Sequence, residues 1–157
     1  MGYKHTISSG IGEAPSELNA FDRALVNSGV GNYNLLKVSS ILPKGSKLAD
    51  SIELEPGSLL PVAYAAYTSN PSRDENVLSA AIAIGIPNNQ DSVGVIMEWS
   101  GLDSEKHAVE KVTKLVKCAM EDRNIDSYDM FIKSISGKTS KDNYVCVFAC
   151  VSIINKE

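Results

Sequence analysis

The spacing of apolar residues along the chain predicts two amphipathic helices. Across Glu105–Arg123, apolar side chains recur every three or four residues, while lysine and glutamate fill most other positions. Ser104 stands where the N-cap of this helix is expected. A shorter stripe of the same kind predicts a helix over Ala20–Ser28, capped by Asn19 and ended by Gly29.

The other apolar segments are short, are separated by clusters of turn residues, and indicate strands. The segment Val145–Val151 is apolar at every position, so both of its faces should be covered. Strands and helices do not alternate regularly, which argues against a doubly wound parallel sheet and favours an α+β fold with stacked sheets and outer helices. The predicted strands are Asn34–Leu42, Leu59–Thr68, Val77–Ile86, Ser92–Ser100, Tyr128–Ser136 and Asn143–Ile154.

Length and composition indicate one globular domain. The chain has 157 residues, of which 43% are hydrophobic and 22% charged. A net charge of −4 argues against a nucleic-acid partner, which would require a basic surface. The longest apolar run, Leu59–Tyr67, is too short to span a membrane and contains Pro61. Because the first residues lack the apolar stretch of a signal peptide, we expect a cytoplasmic protein.

General motifs for metal or nucleotide chemistry are nearly missing from the sequence. The three cysteines, Cys118, Cys146 and Cys150, lack CxxC spacing, and we expect them to be small buried apolar residues. With only two histidines, the chain has little material for a zinc site or a Ser-His-Asp triad. The GxG at 29–31 follows a helix, which is the wrong order for a dinucleotide-binding loop.

Two longer segments are more specific. Residues 18–43 begin with LNAFD, continue through GVGNYNL and end in SSILP, and residues 94–101 read GVIMEWSG. In this order the chain resembles the pyruvoyl-dependent arginine decarboxylases, whose pattern is LNAFD, a helix, G-[VI]-G-N-x-N-L, S-S-I-[LM]-P and later G-x-I-M-E-[YW]-x-G. Segments 57–64 and 79–87 also match this family. The resemblance therefore extends over nearly the whole chain.

The resemblance implies a four-layer αββα sandwich, formed by a single domain over residues 1–157 that cleaves itself. In the family, the second serine of the pair attacks the carbonyl of the first, and elimination then breaks the chain. Here the break would fall between Ser39 and Ser40, giving fragments 1–39 and 40–157. A pyruvoyl group derived from Ser40 would begin the larger fragment. It would act as the electron sink, as pyridoxal phosphate does in other enzymes, with no pyridoxal phosphate and no metal.

The implied reaction is decarboxylation of L-arginine to agmatine, a polyamine precursor. The implied assembly is a trimer of cleaved protomers with active sites between neighbours, and no nucleic acid or membrane is involved. One alternative is the same chemistry on another amino acid, such as histidine or lysine. Another is an uncleaved paralogue that acts as a binding or scaffold protein. The presence of Ser39, Ser40, Asn34 and Glu98 together favours the enzyme.

The resemblance assigns two further catalytic residues. Asn34 is the candidate donor to the oxyanion that forms when serine attacks, and we expect it to face the same side as Ser40. Six residues of straight strand would span about 20 Å, so the chain must bend or a neighbouring subunit must supply the contact. Glu98 ends an apolar strand, where burial should raise its pKa and let it deliver a proton to the substrate α-carbon.

The resemblance also implies a substrate pocket built around Asp22, whose carboxylate would bind the arginine guanidinium through paired charge-assisted hydrogen bonds. We place Asp22 in the first turn of its helix, where the helix dipole would favour an acid in any case. The rest of the pocket would come from Leu25 on the helix, Ile41 after the pyruvoyl group, and the backbone carbonyls of Gly31 and Tyr33.

Overall fold

The structure is a computed structural model that describes residues 2–156. Within this range the chain forms two helices and nine strands. In chain order they are β1 (Gly2–Ala14), α1 (Glu17–Asn27), β2 (Asn34–Lys37), β3 (Ile41–Leu42), β4 (Lys47–Leu48), β5 (Leu59–Ser69), β6 (Val77–Pro87), β7 (Gly94–Gly101), α2 (Glu105–Asp122), β8 (Tyr128–Lys138) and β9 (Tyr144–Lys156).

The strands form two sheets, which confirms the predicted α+β class. One sheet has the order β2-β5-β9-β1-β4, and the other has the order β3-β7-β6-β8. Most neighbouring strands are antiparallel, whereas β1 with β4 and β2 with β5 are parallel pairs. No helix within residues 2–156 is long and apolar enough to cross a membrane.

Three apolar clusters show how these elements stack, in an arrangement compatible with a sandwich. The first joins α1 to the five-stranded sheet and includes Ala24 and Phe148. The second fills the space between the sheets and includes Ile82 and Val147. The third joins the four-stranded sheet to α2 and includes Val112. Strand β9 is therefore covered on both faces, as its continuous apolar sequence predicted.

The limits of the helices agree with their sequence patterns except at the start of α1. Ser104 caps α2 by accepting the backbone N–H of His107, as predicted. Helix α1 begins earlier than expected, because Ser16 rather than Asn19 accepts the capping N–H. Asp22 therefore lies in the middle of α1 and not in its first turn, so the helix dipole does not account for an acid at this position.

The cysteine prediction holds for two of the three residues. Cys146 and Cys150 are buried and free, and burial raises the pKa of the Cys150 thiol to about 11. Cys118 is exposed, so the prediction that it is buried was wrong. It falls on the solvent face of α2, between the buried residues Val116 and Ala119.

The predicted strand Asn34–Leu42 is two strands in different sheets. Strand β2 ends at Lys37 on the edge of the five-stranded sheet, and β3 begins at Ile41 on the edge of the four-stranded sheet. Residues 38–40 cross between the two edges. The bond between Ser39 and Ser40 therefore lies where the chain leaves one sheet and enters the other.

Candidate active site

Ser40 occupies the crossing between the sheets with an unusual backbone. Its φ is 35°, in the left-handed region that L-residues other than glycine seldom adopt. The backbone on its C-terminal side is fixed, because the Ile96 N–H donates to the Ser40 carbonyl at 2.9 Å and Ile41 pairs with Val95. Such a conformation costs about 1–3 kcal/mol and persists where neighbouring contacts hold it.

The Ser40 side chain meets the carboxyl group that the sequence analysis selected. Its hydroxyl donates to Glu98 Oε2 at 3.1 Å. This hydrogen bond joins the residue just before β3 to strand β7. Glu98 is half-buried, and burial raises the pKa of its carboxyl, as expected for a strand that is otherwise apolar. The hydrogen bond from Ser40 and the positive charge of Lys37 partly offset this rise in the pKa.

Asn34 is not joined to the serine pair within one chain. It is exposed at the start of β2, and its side-chain amide donates to the Gly57 carbonyl at 2.7 Å. Its backbone N–H donates to the Ser58 carbonyl. The expectation that Asn34 and Ser40 share a face of one strand was wrong, because the chain leaves the five-stranded sheet between them. The chain does bend between the two residues, but within residues 2–156 no hydrogen bond joins Asn34 to Ser39 or Ser40.

Four of the five substrate-binding candidates lie on or beside α1, in a different layer from Ser40. Asp22 is exposed on α1, and Leu25 packs against the cluster between α1 and the five-stranded sheet. Tyr33 packs against the same cluster, and its hydroxyl donates weakly to the Leu54 carbonyl at 3.4 Å. Gly31 lies so close to α1 that a Cβ there would come within 2.6 Å of the Val26 side chain.

Ile41 is the one pocket candidate that directly adjoins Ser40. It is 38% exposed and pairs with Val95 at the edge of the four-stranded sheet. One chain thus brings Ser39, Ser40, Ile41 and Glu98 together. Among residues 2–156, no hydrogen bond or ion pair joins Asp22 to that group.

Sequence reasoning overlooked Lys37 and Tyr64. The Lys37 ammonium lies over the Tyr64 ring, with Nζ 4.6 Å from the ring centroid. Tyr64 in turn packs against Phe148 and Phe21, with ring centroids 5.3 and 6.4 Å away. The available signal was a single lysine three residues before Ser40 in an otherwise apolar segment.

The family described as "Pyruvoyl-dependent arginine decarboxylase (PvlArgDC)" matches residues 4–157 of this chain. The chain belongs to this family. A protein of this name from Methanococcus vannielii is 34% identical over 151 residues, which cover 95% of this chain and 90% of the relative. Another from Methanocaldococcus jannaschii is 34% identical over 148 residues, covering 94% and 87%. A third, from Thermococcus kodakarensis, is 34% identical over 146 residues, covering 92% and 90%.

Membership in the pyruvoyl-dependent arginine decarboxylase family implies a cofactor made from a serine of the chain, and not pyridoxal phosphate. The residues present fit such a group. Ser40 has a hydroxyl, a backbone held in an unfavourable conformation, and a carboxyl partner 3.1 Å from its Oγ atom. Within residues 2–156, no group of three or more histidine, cysteine, aspartate or glutamate side chains could hold a metal ion.

Proposed function

We propose that this protein decarboxylates L-arginine to agmatine and CO2, after cleaving itself between Ser39 and Ser40. The observation that carries the proposal is the hydrogen bond from the Ser40 hydroxyl to Glu98, at a strained crossing between sheets, in a chain of this family. The single domain 1–157 would become a small chain, 1–39, and a large chain, 40–157.

Self-cleavage begins when Ser40 Oγ adds to the carbonyl carbon of Ser39. The hydrogen bond to Glu98 holds this hydroxyl in place, and the hydroxyl proton ends on the nitrogen that becomes the free amine. The C–N bond then breaks, which leaves an ester to Ser39 and a free amine at residue 40. Loss of the α-proton of residue 40 and cleavage of its Cβ–Oγ bond release Ser39 as a carboxylate. The resulting enamine takes up a proton at Cβ to become an imine, water replaces the nitrogen, ammonia leaves, and a ketone remains at position 40.

In decarboxylation, the pyruvoyl group supplies an electron sink for the carbon that loses CO2. Glu98 would deliver the proton that this carbon then takes up. Burial suits the carboxyl for this role, because a raised pKa keeps the protonated form present closer to neutral pH. Glu98 would therefore hold the Ser40 hydroxyl during cleavage and donate a proton during decarboxylation.

The substrate site requires more than one chain in this proposal. Asp22 would bind the guanidinium, with Leu25, Gly31, Tyr33 and Ile41 completing the pocket. Because Asp22 lies on α1, outside the layer that holds Ser40, we place it opposite the Ser40 of a neighbouring subunit.

A homotrimer of the four-layer αββα type, as in pyruvoyl-dependent histidine and arginine decarboxylases, would provide this arrangement. Exposed apolar side chains beside Asn34 support an interface at this edge, since Leu36 is 48% exposed and Leu59 is 64% exposed. Asn34 would then donate to the oxyanion across the interface. The free thiols of Cys146 and Cys150 are typical of the cytoplasm, where we place the protein.

The test is to incubate the purified protein with arginine labelled in its carboxyl carbon and to measure labelled CO2 and agmatine together. We expect equal amounts of both from the natural protein and neither from Ser40→Ala, while the matched exposed variant Ser51→Ala behaves as the natural protein.

Asp22→Asn should weaken arginine binding by one to two orders of magnitude, since charge-assisted hydrogen bonds contribute about 1.5–3 kcal/mol. Faster release of CO2 from lysine or histidine than from arginine would show that arginine is not the preferred substrate.

A further inference from the structure

Strand β8 is the edge of the four-stranded sheet that lies away from Ser40. Within residues 2–156 no strand pairs with its outer side. It contains no proline and pairs with β6 without a bulge from Tyr128 to Lys138. Three consecutive side chains near its centre, Phe131, Ile132 and Lys133, are exposed, and Phe131 is 50% exposed. A long, regular edge with exposed apolar side chains is suited to pairing with another strand.

The outer side of β8 presents unpaired backbone groups. Just before β8, the Asn88 N–H donates to the Ser127 carbonyl at 3.0 Å, in register with the β6–β8 pair. Because successive strand residues direct their backbone groups to alternate sides, the odd-numbered residues of β8 face β6. The N–H and C=O groups of even-numbered residues, such as Met130 and Ile132, therefore point outward. In the described part of the chain no backbone hydrogen bond reaches these outward groups.

Asp129 and Lys133 place opposite charges on the same face of β8 as Phe131. They are four residues apart, so about 13 Å of strand separates them and they cannot pair within one chain. Among residues 2–156, neither forms an ion pair with another side chain. A two-fold axis at Phe131 would set Asp129 of each copy opposite Lys133 of the other. Cross-strand Cβ atoms in such pairs are about 5 Å apart.

Charge favours this register over its neighbours. An axis at Lys133 would oppose two lysines, and an axis at Asp129 would oppose two aspartates, both of which are unfavourable. An axis at Ile132 would set Lys133 against Phe131 and leave the charges unpaired. With the axis at Phe131, the outward groups of Met130 and Ile132 exchange the backbone hydrogen bonds. The two Phe131 side chains then form a non-hydrogen-bonded pair, in which side chains lie closest.

The exposed apolar surface continues from β8 to the edge of the other sheet. Leu48 of β4 is exposed and, with Phe131, borders a cavity of about 140 Å³ between the two edges. The apolar surface is therefore wider than β8 itself. Strands β4 and β8 are the edges opposite β2 and β3, so a contact at β8 leaves the edge that holds Ser40 free.

We propose that β8 is an interface on which a second copy of this chain adds its own β8 antiparallel, with the two Phe131 side chains adjacent on the two-fold axis. The four-stranded sheets of the two copies then become one continuous sheet. The contact is self-complementary and closes with two copies, so it leaves neither β8 edge open. It is separate from the contact between subunits that we place at Ser40, and neither contact requires the other.

The first test measures molar mass by light scattering, at low salt and equal protein concentration. Lys133→Glu opposes two acids at each of two places and should halve the mass of the assembly. The exchange of both charges, Asp129→Lys with Lys133→Glu, should restore it. Lys141→Glu makes the same charge change at an exposed position beyond β8 and should leave the mass unchanged.

An equal mass for the natural protein and Lys133→Glu would overturn the proposal. An exchange variant that stays at half the natural mass would also overturn it, because the charges would not be opposite each other. Halving is expected with or without a trimer at the Ser40 edge. The result therefore does not depend on the proposed function.

The second test determines the register by disulfide cross-linking in a Cys118→Ser background, which removes the exposed natural thiol. Cα atoms of a non-hydrogen-bonded pair are about 4.5 Å apart, within the range of a disulfide. Under a mild oxidant, Phe131→Cys should give a reducible band of twice the mass of the chain that holds residue 131. The matched control Ile132→Cys, opposite Met130 of the other copy, should not. No cross-link from Phe131→Cys, or a stronger one from Ile132→Cys, would overturn the proposal.

Discussion

At Ser40, a backbone φ of 35° coincides with a hydroxyl that is already hydrogen-bonded to a carboxylate. When residue 40 becomes a ketone, its Cα becomes planar and the left-handed strain of an L-residue no longer applies. The free energy stored in this conformation, about 1–3 kcal/mol, therefore favours cleavage over the intact chain. The Ile96 N–H holds the same residue in place on the other side.

Glu98→Gln should separate cleavage from decarboxylation. Glutamine still offers an oxygen to the Ser40 hydroxyl, so we expect cleavage to reach completion on prolonged incubation. It has no acidic proton to deliver, and loss of a general acid commonly lowers the rate 10²- to 10⁴-fold.

The measurement is labelled CO2 released per cleaved chain, with Glu110→Gln as an exposed control on α2 that should match the natural protein. Near-normal CO2 release by cleaved Glu98→Gln would show that another group delivers the proton.

At the scale of elements, periodicity predicted both helices and most strands but missed β1 and the two-residue strand β4. The segment Gly2–Ala14 is rich in serine, threonine and glycine and lacks a continuous apolar face. It is a strand because it pairs along its whole length with β9. Its glycines have a second role that a sequence pattern cannot show. A Cβ on Gly10 or Gly12 would come within 2.4 or 2.3 Å of α1 backbone oxygens, so both glycines let the helix pack closely on the sheet.

Replacing Gly12 with alanine should therefore destabilise the protein. The new Cβ meets backbone atoms of Ala20 and Ala24, which cannot move without shifting α1. We expect a loss of about 1–3 kcal/mol in the free energy of unfolding, or several degrees in Tm. Thermal unfolding is compared in the uncleaved Ser40→Ala background at equal concentrations. Gly2→Ala, where nothing lies within 4 Å of the added carbon, is the control on the same strand. Equal midpoints for the two variants would contradict the close packing of α1 on β1.

At the scale of the whole molecule, the resemblance selected the serine pair and Glu98, and the structure brings them together. No proline, glycine or turn cluster interrupts residues 34–42, so the sequence alone predicted one strand where the chain changes sheets. That crossing separates Asn34 from Ser40 and gives Ser40 its backbone conformation. Neither the position of Lys37 over the Tyr64 ring nor the separation of Asp22 from Ser40 was predictable, because both depend on how the sheets and α1 stack. The placement of Asp22 supports our proposal that the site is completed between subunits.

The central claim is that Ser40 converts one chain into two. The most direct test is the intact mass of the purified protein under denaturing conditions, with Ser40→Ala as the matched control. We expect the natural protein to give two masses, one for residues 1–39 ending in a carboxylate and one for residues 40–157 beginning with a pyruvoyl group. Ser40→Ala should give a single full-length mass. A single full-length mass for the natural protein after prolonged incubation would contradict the account.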